Sequence, residues 1–189
     1  MSETNSPRHR KRRPQVAIIG GGEASPAELA AAEGLGRGLV DRGYRLVTGG
    51  LGGVMTAASR GGSQARGWFE GAVVGILPTA DAATGNQWLD VVIPTGLGHG
   101  RNLLVVASAD LVIAVGGGAG TLSELALAWV HRRPLIALDL GTGWSSRLAG
   151  AALDDRRDDR ILRAGDVDAA LALAEGALSS SARSMASRP

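Results

Sequence analysis

The chain has 189 residues, enough for one domain that buries a core without disulfide or metal support. It contains no cysteine, which excludes thiol catalysis, cysteine-ligated metals and disulfide scaffolds. The formal net charge is +2, but residues 1–13 alone carry +4, so the remainder is slightly acidic and offers no general basic footprint for nucleic acid.

Lys11 is the only lysine, set between Arg10 and Arg12 in the basic N-terminal run. A lysine Schiff base to pyridoxal phosphate is therefore not expected. A P-loop is excluded, since no Gly-Lys-Ser/Thr occurs. No apolar stretch reaches the roughly 18 residues of a membrane helix. The longest candidate, Leu103–Val115, is broken by Asp110. The start lacks the apolar stretch of a secretory signal, and the chain reads as soluble and cytoplasmic.

Residues 1–14 read as a flexible basic tail, 15–178 as one domain and 179–189 as a second flexible tail. The run Pro7–Arg13 has the charge to touch nucleic acid or anionic lipid, but a solvated tail is the simpler reading. Val16–Ile19 is apolar without alternation, as suits a strand buried on both faces. After Gly20-Gly21-Gly22, Ser25-Pro26-Ala27-Glu28 supplies an N-cap serine, a first-turn proline and a capping-box glutamate. Leu29, Leu35, Leu39 and Val40 form the helical stripe, and Gly43 stops the helix. Tyr44–Thr48 predicts a strand closed by Gly49–Gly53. Val54 to about Ala65 predicts a helix weakened by Gly61-Gly62. Ala72–Leu77 and Leu89–Ile93 predict strands ended by prolines, with Thr79–Asn86 as a polar loop long enough for a lid or specificity element. Arg101–Ser108 reads as helix and Leu111–Val115 as strand. Gly116-Gly117-Gly118-Ala119-Gly120 then leads into a helix over Thr121–Arg132. Leu135–Leu138 predicts the last strand, and Trp144–Leu153 and Asp166–Leu178 the closing helices around a charged surface segment, Asp154–Arg160.

Strands alternating with helices predict an α/β fold, a single Rossmann-like three-layer domain with a mostly parallel sheet. The expected core is Val16–Ile19, Leu46–Val47, Val73–Leu77, Val91–Ile93, Leu111–Val115 and Leu135–Leu138. Ligands in such sheets bind beyond the carboxyl ends of strands, where all three glycine clusters fall. The surplus of glycine, 29 residues, is thus expected to lie around a ligand.

The loop Gly116–Thr121 follows a strand and opens a helix. Glycines let backbone N–H groups converge on an anion, and the helix N-terminus adds partial positive charge. Thr121-x-x-Glu124 also has the spacing of a capping box, which needs no ligand; a cap, however, needs no preceding run of glycines. Gly20–Gly22 and Gly49–Gly53 repeat the pattern, although each alone is compatible with a tight strand-to-helix turn. Arg101 opens a helix, where a cation is disfavoured unless it faces an anion; pairing with a surface carboxylate is the bland alternative. Asn102 offers a further polar contact. His99 reads as a loop residue, His131 as a helix-end charge and Trp129 as packing or interface. The candidate phosphate-binding set is Gly21, Gly22, Gly49, Gly50, Gly52, Gly53, Arg101, Asn102, Gly117, Gly118, Ala119, Gly120 and Thr121, and no metal site is expected.

Gly49-Gly50-Leu51-Gly52-Gly53-Val54-Met55, then Arg101 nine residues before Asp110, then Gly117-Gly118-Ala119-Gly120-Thr121-Leu122-Ser123-Glu124, together resemble the LOG-like Rossmann superfamily. That superfamily includes the Lonely Guy cytokinin phosphoribohydrolases and the molybdenum cofactor carrier proteins. In the hydrolases a proline falls at the position of Gly116, and lysine usually follows the arginine where this chain has Asn102. These departures look more like the carrier branch. The resemblance implies a phosphorylated ligand, a homodimer, no required cofactor, and molybdenum cofactor as cargo. It also carries the hydrolase arginine and glutamate onto Arg101 and Glu124, the catalytic candidates if the protein is an enzyme. Two functions are therefore carried forward: binding of a phosphorylated pterin or nucleotide, and hydrolysis of a nucleoside 5′-monophosphate to base and ribose 5-phosphate.

Overall fold

Val16–Ile19 is buried on both faces because each alternate side chain enters a different core. Val16 and Ile18 pack under one layer of helices, Ala17 and Ile19 under the other. This strand, β1 (Gln15–Gly20), is central in a sheet of seven parallel strands. The computed structural model describes residues 12–186, so most of the basic tail, Lys11 included, lies outside the described residues.

The chain first runs outward from β1 through α1 (Pro26–Asp41), β2 (Arg45–Thr48), α2 (Val54–Ser63), β3 (Val73–Leu77) and β4 (Val91–Pro94). It then returns across α3 (Asn102–Ser108) to β5 (Leu111–Val115) on the other side of β1. It continues through α4 (Ala119–Val130), β6 (Leu135–Leu138), α5 (Gly143–Leu148), β7 (Leu162–Ala164) and α6 (Val167–Ala186). The strand order is β4-β3-β2-β1-β5-β6-β7, with the direction of winding reversed between β1 and β5. Residues of α1, α2 and α6 pack on one face of the sheet, and those of α3, α4 and α5 on the other.

The first helix follows its local signals. Ser25 caps it, the Glu28 carboxylate accepts from the Ser25 backbone N–H at 2.7 Å, and Pro26 opens it. Its end is a Schellman motif: Gly43 adopts φ +78°, and Tyr44 N–H donates to Leu39 O at 3.1 Å.

The structure corrects several sequence expectations. Val91 and Ile93 are not core. β4 is the outermost strand with only β3 beside it, and the two side chains are 40% and 43% exposed. β7 was not expected, because three residues flanked by charges carry no pattern; it pairs with β6 through Ile136↔Leu162. The sixth helix continues to Ala186, past the expected end at Leu178. The closing helix expected over Trp144–Leu153 ends at Leu148. Arg157, in the segment read as charged surface, buries its side chain and stacks over Trp129 with its guanidinium carbon 4.5 Å from the ring centre. Finally, Gly61 and Gly62 lie inside α2, where close packing offsets their cost in helix propensity. A Cβ at Gly61 would strike the Glu33 carbonyl and one at Gly36 the Ala58 carbonyl, so these glycines let α1 and α2 pack backbone to backbone.

Candidate functional site

The reversal of winding between β1 and β5 leaves a crevice at their carboxyl ends, because the connections that follow them depart to opposite faces. The turn after β1, the turn after β2, the 3₁₀ turn Gly98–Arg101 and the first turns of α4 meet there around a cleft of about 300 Å³. Gly20, Gly21, Gly22, Gly49, Gly118, Gly120, Thr121, Arg101, Asn102 and Glu124 line it. Its apolar wall is Ile18, Ile19, Leu51 and Met55, and His99 sits at its rim.

The start of α4 decides between the two readings of Thr121-x-x-Glu124. The N-cap is Gly118, with no side-chain cap hydrogen bond. The helix begins two residues earlier than the sequence suggested, so Thr121 and Glu124 lie inside it and no capping box forms. Both are buried and both face the cleft. An added Cβ would meet nothing within 4 Å at Gly118 or at Gly120, so the backbone there is open to a ligand's approach.

The other glycines of the set shape the turns without lining the cleft. Gly50, Gly53 and Gly117 have φ of +74°, +59° and +89°. A Cβ on Gly53 would collide with the Gly21 carbonyl, and one on Gly117 with the Thr121 side chain. Gly52 lies beside the Gly22 carbonyl, and Ala119 is the first residue of α4. Gly116 has φ +56°, which the ring of proline forbids, so the departure from the hydrolase sequence reflects a different backbone path.

Arg101 reaches the cleft from the end of the 3₁₀ turn and is 7% exposed. One of its terminal nitrogens donates to Asn102 Oδ1; the other donates to Gly49 O at 3.2 Å and lies 3.9 Å from Met55 Sδ. Glu124 Oε1 is 3.6 Å from the guanidinium, an ion pair without a hydrogen bond. Arg101 Nε is buried with no hydrogen-bond partner. Burial pushes Glu124 up from 4.5 to about 7, with Arg101 only partly opposing it. Burial also draws Arg101 below its ordinary value, and Glu124 opposes that. The cleft thus holds a fixed cation beside a carboxyl poised near neutrality.

A second layer supports the glycine loop, and sequence reasoning missed it. Ser145 N–H donates to Gly116 O at 3.1 Å, Trp144 N–H to Gly117 O at 3.0 Å, and Gly116 N–H to Ser145 Oγ at 2.7 Å. Thr142 Oγ1 donates to Glu28 Oε1 at 3.0 Å, and a Cβ at Gly116 would strike that same carboxylate. Burial pushes Glu28 up, but the bonds from Ser25 and Thr142 outweigh it and hold the group below its ordinary value. Glu28 carried a legible capping signal; its second task depends on a residue 114 positions away. Met55 was visible in its motif, but not its place beneath Arg101.

The loop at 79–86 is tied down at its end. Asn86 Nδ2 donates to Gly50 O and Leu51 O, both at 3.2 Å, which braces the turn after β2. Among the described residues no group of three or more His, Cys, Asp or Glu could hold a metal ion, and no helix is long and apolar enough to cross a membrane.

Comparison with known proteins agrees with this geometry. The model of the SLOG cluster4 family matches residues 13–182. The structure of the molybdenum cofactor binding protein from Rippkaea orientalis superposes with a TM-score of 0.77 at 35% identity, covering 89% of this chain and 99% of that one. The molybdenum cofactor carrier protein from Chlamydomonas reinhardtii gives 0.72 at 30% identity, with the same coverage of each chain. A probable cytokinin riboside 5′-monophosphate phosphoribohydrolase from rice is 32% identical over 140 residues, 68% of this chain, and the match spans only 54% of the rice protein.

Proposed function

Because the chain belongs to the SLOG cluster4 family, on the molybdenum cofactor carrier side of the LOG-like Rossmann superfamily, we propose that it binds or carries a phosphorylated ligand, either a pterin of the molybdenum cofactor type or a nucleotide. The observation that carries this reading is the convergence of three glycine turns and the start of α4 on one cleft beside buried Arg101. The phosphate sits at the first turn of α4, where backbone N–H groups and the Thr121 hydroxyl donate to it. Arg101 supplies the positive charge, and its unpartnered Nε gains an acceptor. The body of the ligand lies along Ile18, Ile19, Leu51 and Met55. In this reading no cofactor is required and the pterin is cargo. The protein works in the cytoplasm as a homodimer, for which Leu103, Leu104 and Val130, exposed on α3 and α4, provide apolar surface.

One observation favours a second reading, hydrolysis of a nucleoside 5′-monophosphate. Glu124 lies one helical turn beyond Thr121, so their Cβ atoms are roughly 5–6 Å apart. That suits a carboxylate beside the sugar of a ligand whose phosphate is held at Thr121. There it would stabilise positive charge at the anomeric carbon as water attacks and the base departs with a proton. Arg101 would hold phosphate or ribose.

Calorimetric titration with adenosine 5′-monophosphate, combined with chromatography for adenine, tests both readings. Binding without adenine release supports the carrier. Release that disappears in Glu124→Ala supports the hydrolase. Failure to bind this nucleotide, together with no phosphorylated small molecule in the mass spectrum of the purified protein, refutes both.

A further inference from the structure

We infer that Asn102 is a positioning residue that keeps the Arg101 guanidinium from closing onto Glu124, so that both groups remain available to a ligand in the cleft. This rests on the reading of the cleft as a ligand site. A buried arginine and carboxylate at close range ordinarily settle into two parallel N–H···O bonds. Here they do not: the separation is 3.6 Å, and the guanidinium gives its hydrogen bonds to neutral acceptors. The nitrogen nearest Glu124 is the one that Asn102 Oδ1 accepts from, while Gly49 O takes the other. Asn102 has little freedom to let go. It is 4% exposed, it is the first residue of α3, and its Nδ2 donates to Ser123 Oγ at 2.9 Å. Ser123 Oγ in turn donates to Gly120 O at 2.7 Å, so the first turns of α3 and α4 are tied together through this one amide. Both polar atoms of Asn102 are engaged within the protein, and its part in binding is carried through Arg101.

The consequence is electrostatic. Among the described residues Arg101 is the only cation paired with Glu124. His99 lines the same cleft at its exposed rim, while β1 and α2 contribute only the uncharged Ile18, Ile19, Gly20 and Met55. Glu28, on α1, lies behind Gly116 and is committed to Ser25 and Thr142. In Asn102→Leu, similar in size but without an acceptor, the guanidinium nitrogen is left unsatisfied and Glu124 is the nearest oxygen available to it. The pair closes, the ionised carboxylate is favoured, and the cation is no longer free for an anion. Asn102→Asp keeps the acceptor oxygen and adds negative charge, so the pair stays open.

The test reads Glu124 directly in the ligand-free protein. The side-chain carboxyl carbon is followed by carbon-13 NMR from pH 4 to 9 and assigned by its loss in Glu124→Gln. The parent titrates near neutrality, Asn102→Leu moves the midpoint below about pH 6, and Asn102→Asp keeps it at or above that of the parent. An unchanged midpoint in Asn102→Leu overturns the inference. So does a fall in Asn102→Asp, which decides the matter even if the leucine variant does not fold. A second arm measures adenosine 5′-monophosphate affinity at pH 6, where Asn102→Leu is expected to weaken binding about tenfold. If the parent does not bind this probe and its mass spectrum shows no phosphorylated small molecule the ligand reading fails, while the NMR arm still decides the role of Asn102.

Discussion

Glu124 should cost the protein stability above neutral pH, and Glu124→Gln should relieve that cost. The group is 6% exposed, and burial raises it from 4.5 to about 7. Between those values the folded chain holds a proton that the unfolded chain has released. The stabilisation is therefore complete below about pH 4.5 and is lost as pH rises through about 7. Worked through the two titration curves, the contribution falls by about 2.5 kcal/mol between pH 5 and pH 8. In a domain of this size that corresponds to about 5–10 °C in melting temperature. Glu28 titrates below its ordinary value, so its contribution is lost only on acidification and lies outside this window. The measurement is urea unfolding of parent and Glu124→Gln at both pH values. Glutamine mimics the protonated acid, which gives Arg101 no counter-charge either, and any constant offset from the substitution cancels in the difference between the two pH dependences, which is the informative quantity. Parallel curves for parent and variant would refute the argument, since Glu124 would then titrate alike in the folded and unfolded chains.

Thr121→Ala should weaken adenosine 5′-monophosphate binding by about 1–3 kcal/mol in calorimetry with little change in melting temperature, because α4 does not use this hydroxyl as a cap. Gly36→Ala should destabilise the protein by at least about 2 kcal/mol in urea unfolding, because its Cβ would meet the Ala58 carbonyl. Gly34→Ala, whose Cβ would meet only Val167 at 3.4 Å, should be neutral or stabilising by up to about 1 kcal/mol, and equal effects at the two positions would refute the packing account. Arg157→Ala should cost about 1–2 kcal/mol in thermal unfolding, through loss of the stack on Trp129 and of the bond to Arg133 O at 3.0 Å, while leaving nucleotide affinity unchanged because the residue does not line the cleft.

What the sequence disclosed about this molecule follows the range of the forces involved. β1, β5 and β6 were legible because a strand buried on both faces needs an unbroken apolar run, and Val16–Ile19, Leu111–Val115 and Leu135–Leu138 each supply one. The same rule misled at β4, since Val91–Ile93 has such a run but only one neighbouring strand, and neighbours are not written locally. Glycine shows the limit most clearly. The residues that open the cleft, Gly118 and Gly120, and those that let α1 and α2 touch, Gly36 and Gly61, are chemically identical, and the sequence argument assigned the surplus to a ligand. Their positions within elements separate them: Gly118 and Gly120 stand at the N-cap and in the first turn of a helix, whereas glycine in a helix interior weakens it unless another backbone needs the space. Gly36 and Gly61 lie inside α1 and α2, so their cost in helix stability already implied a close partner. That partner is the neighbouring helix, and the close crossing fixes α2, whose first turn carries Met55 to the floor beneath Arg101. Packing glycines and cleft glycines thus serve one site, the first by placing a helix and the second by clearing its surface.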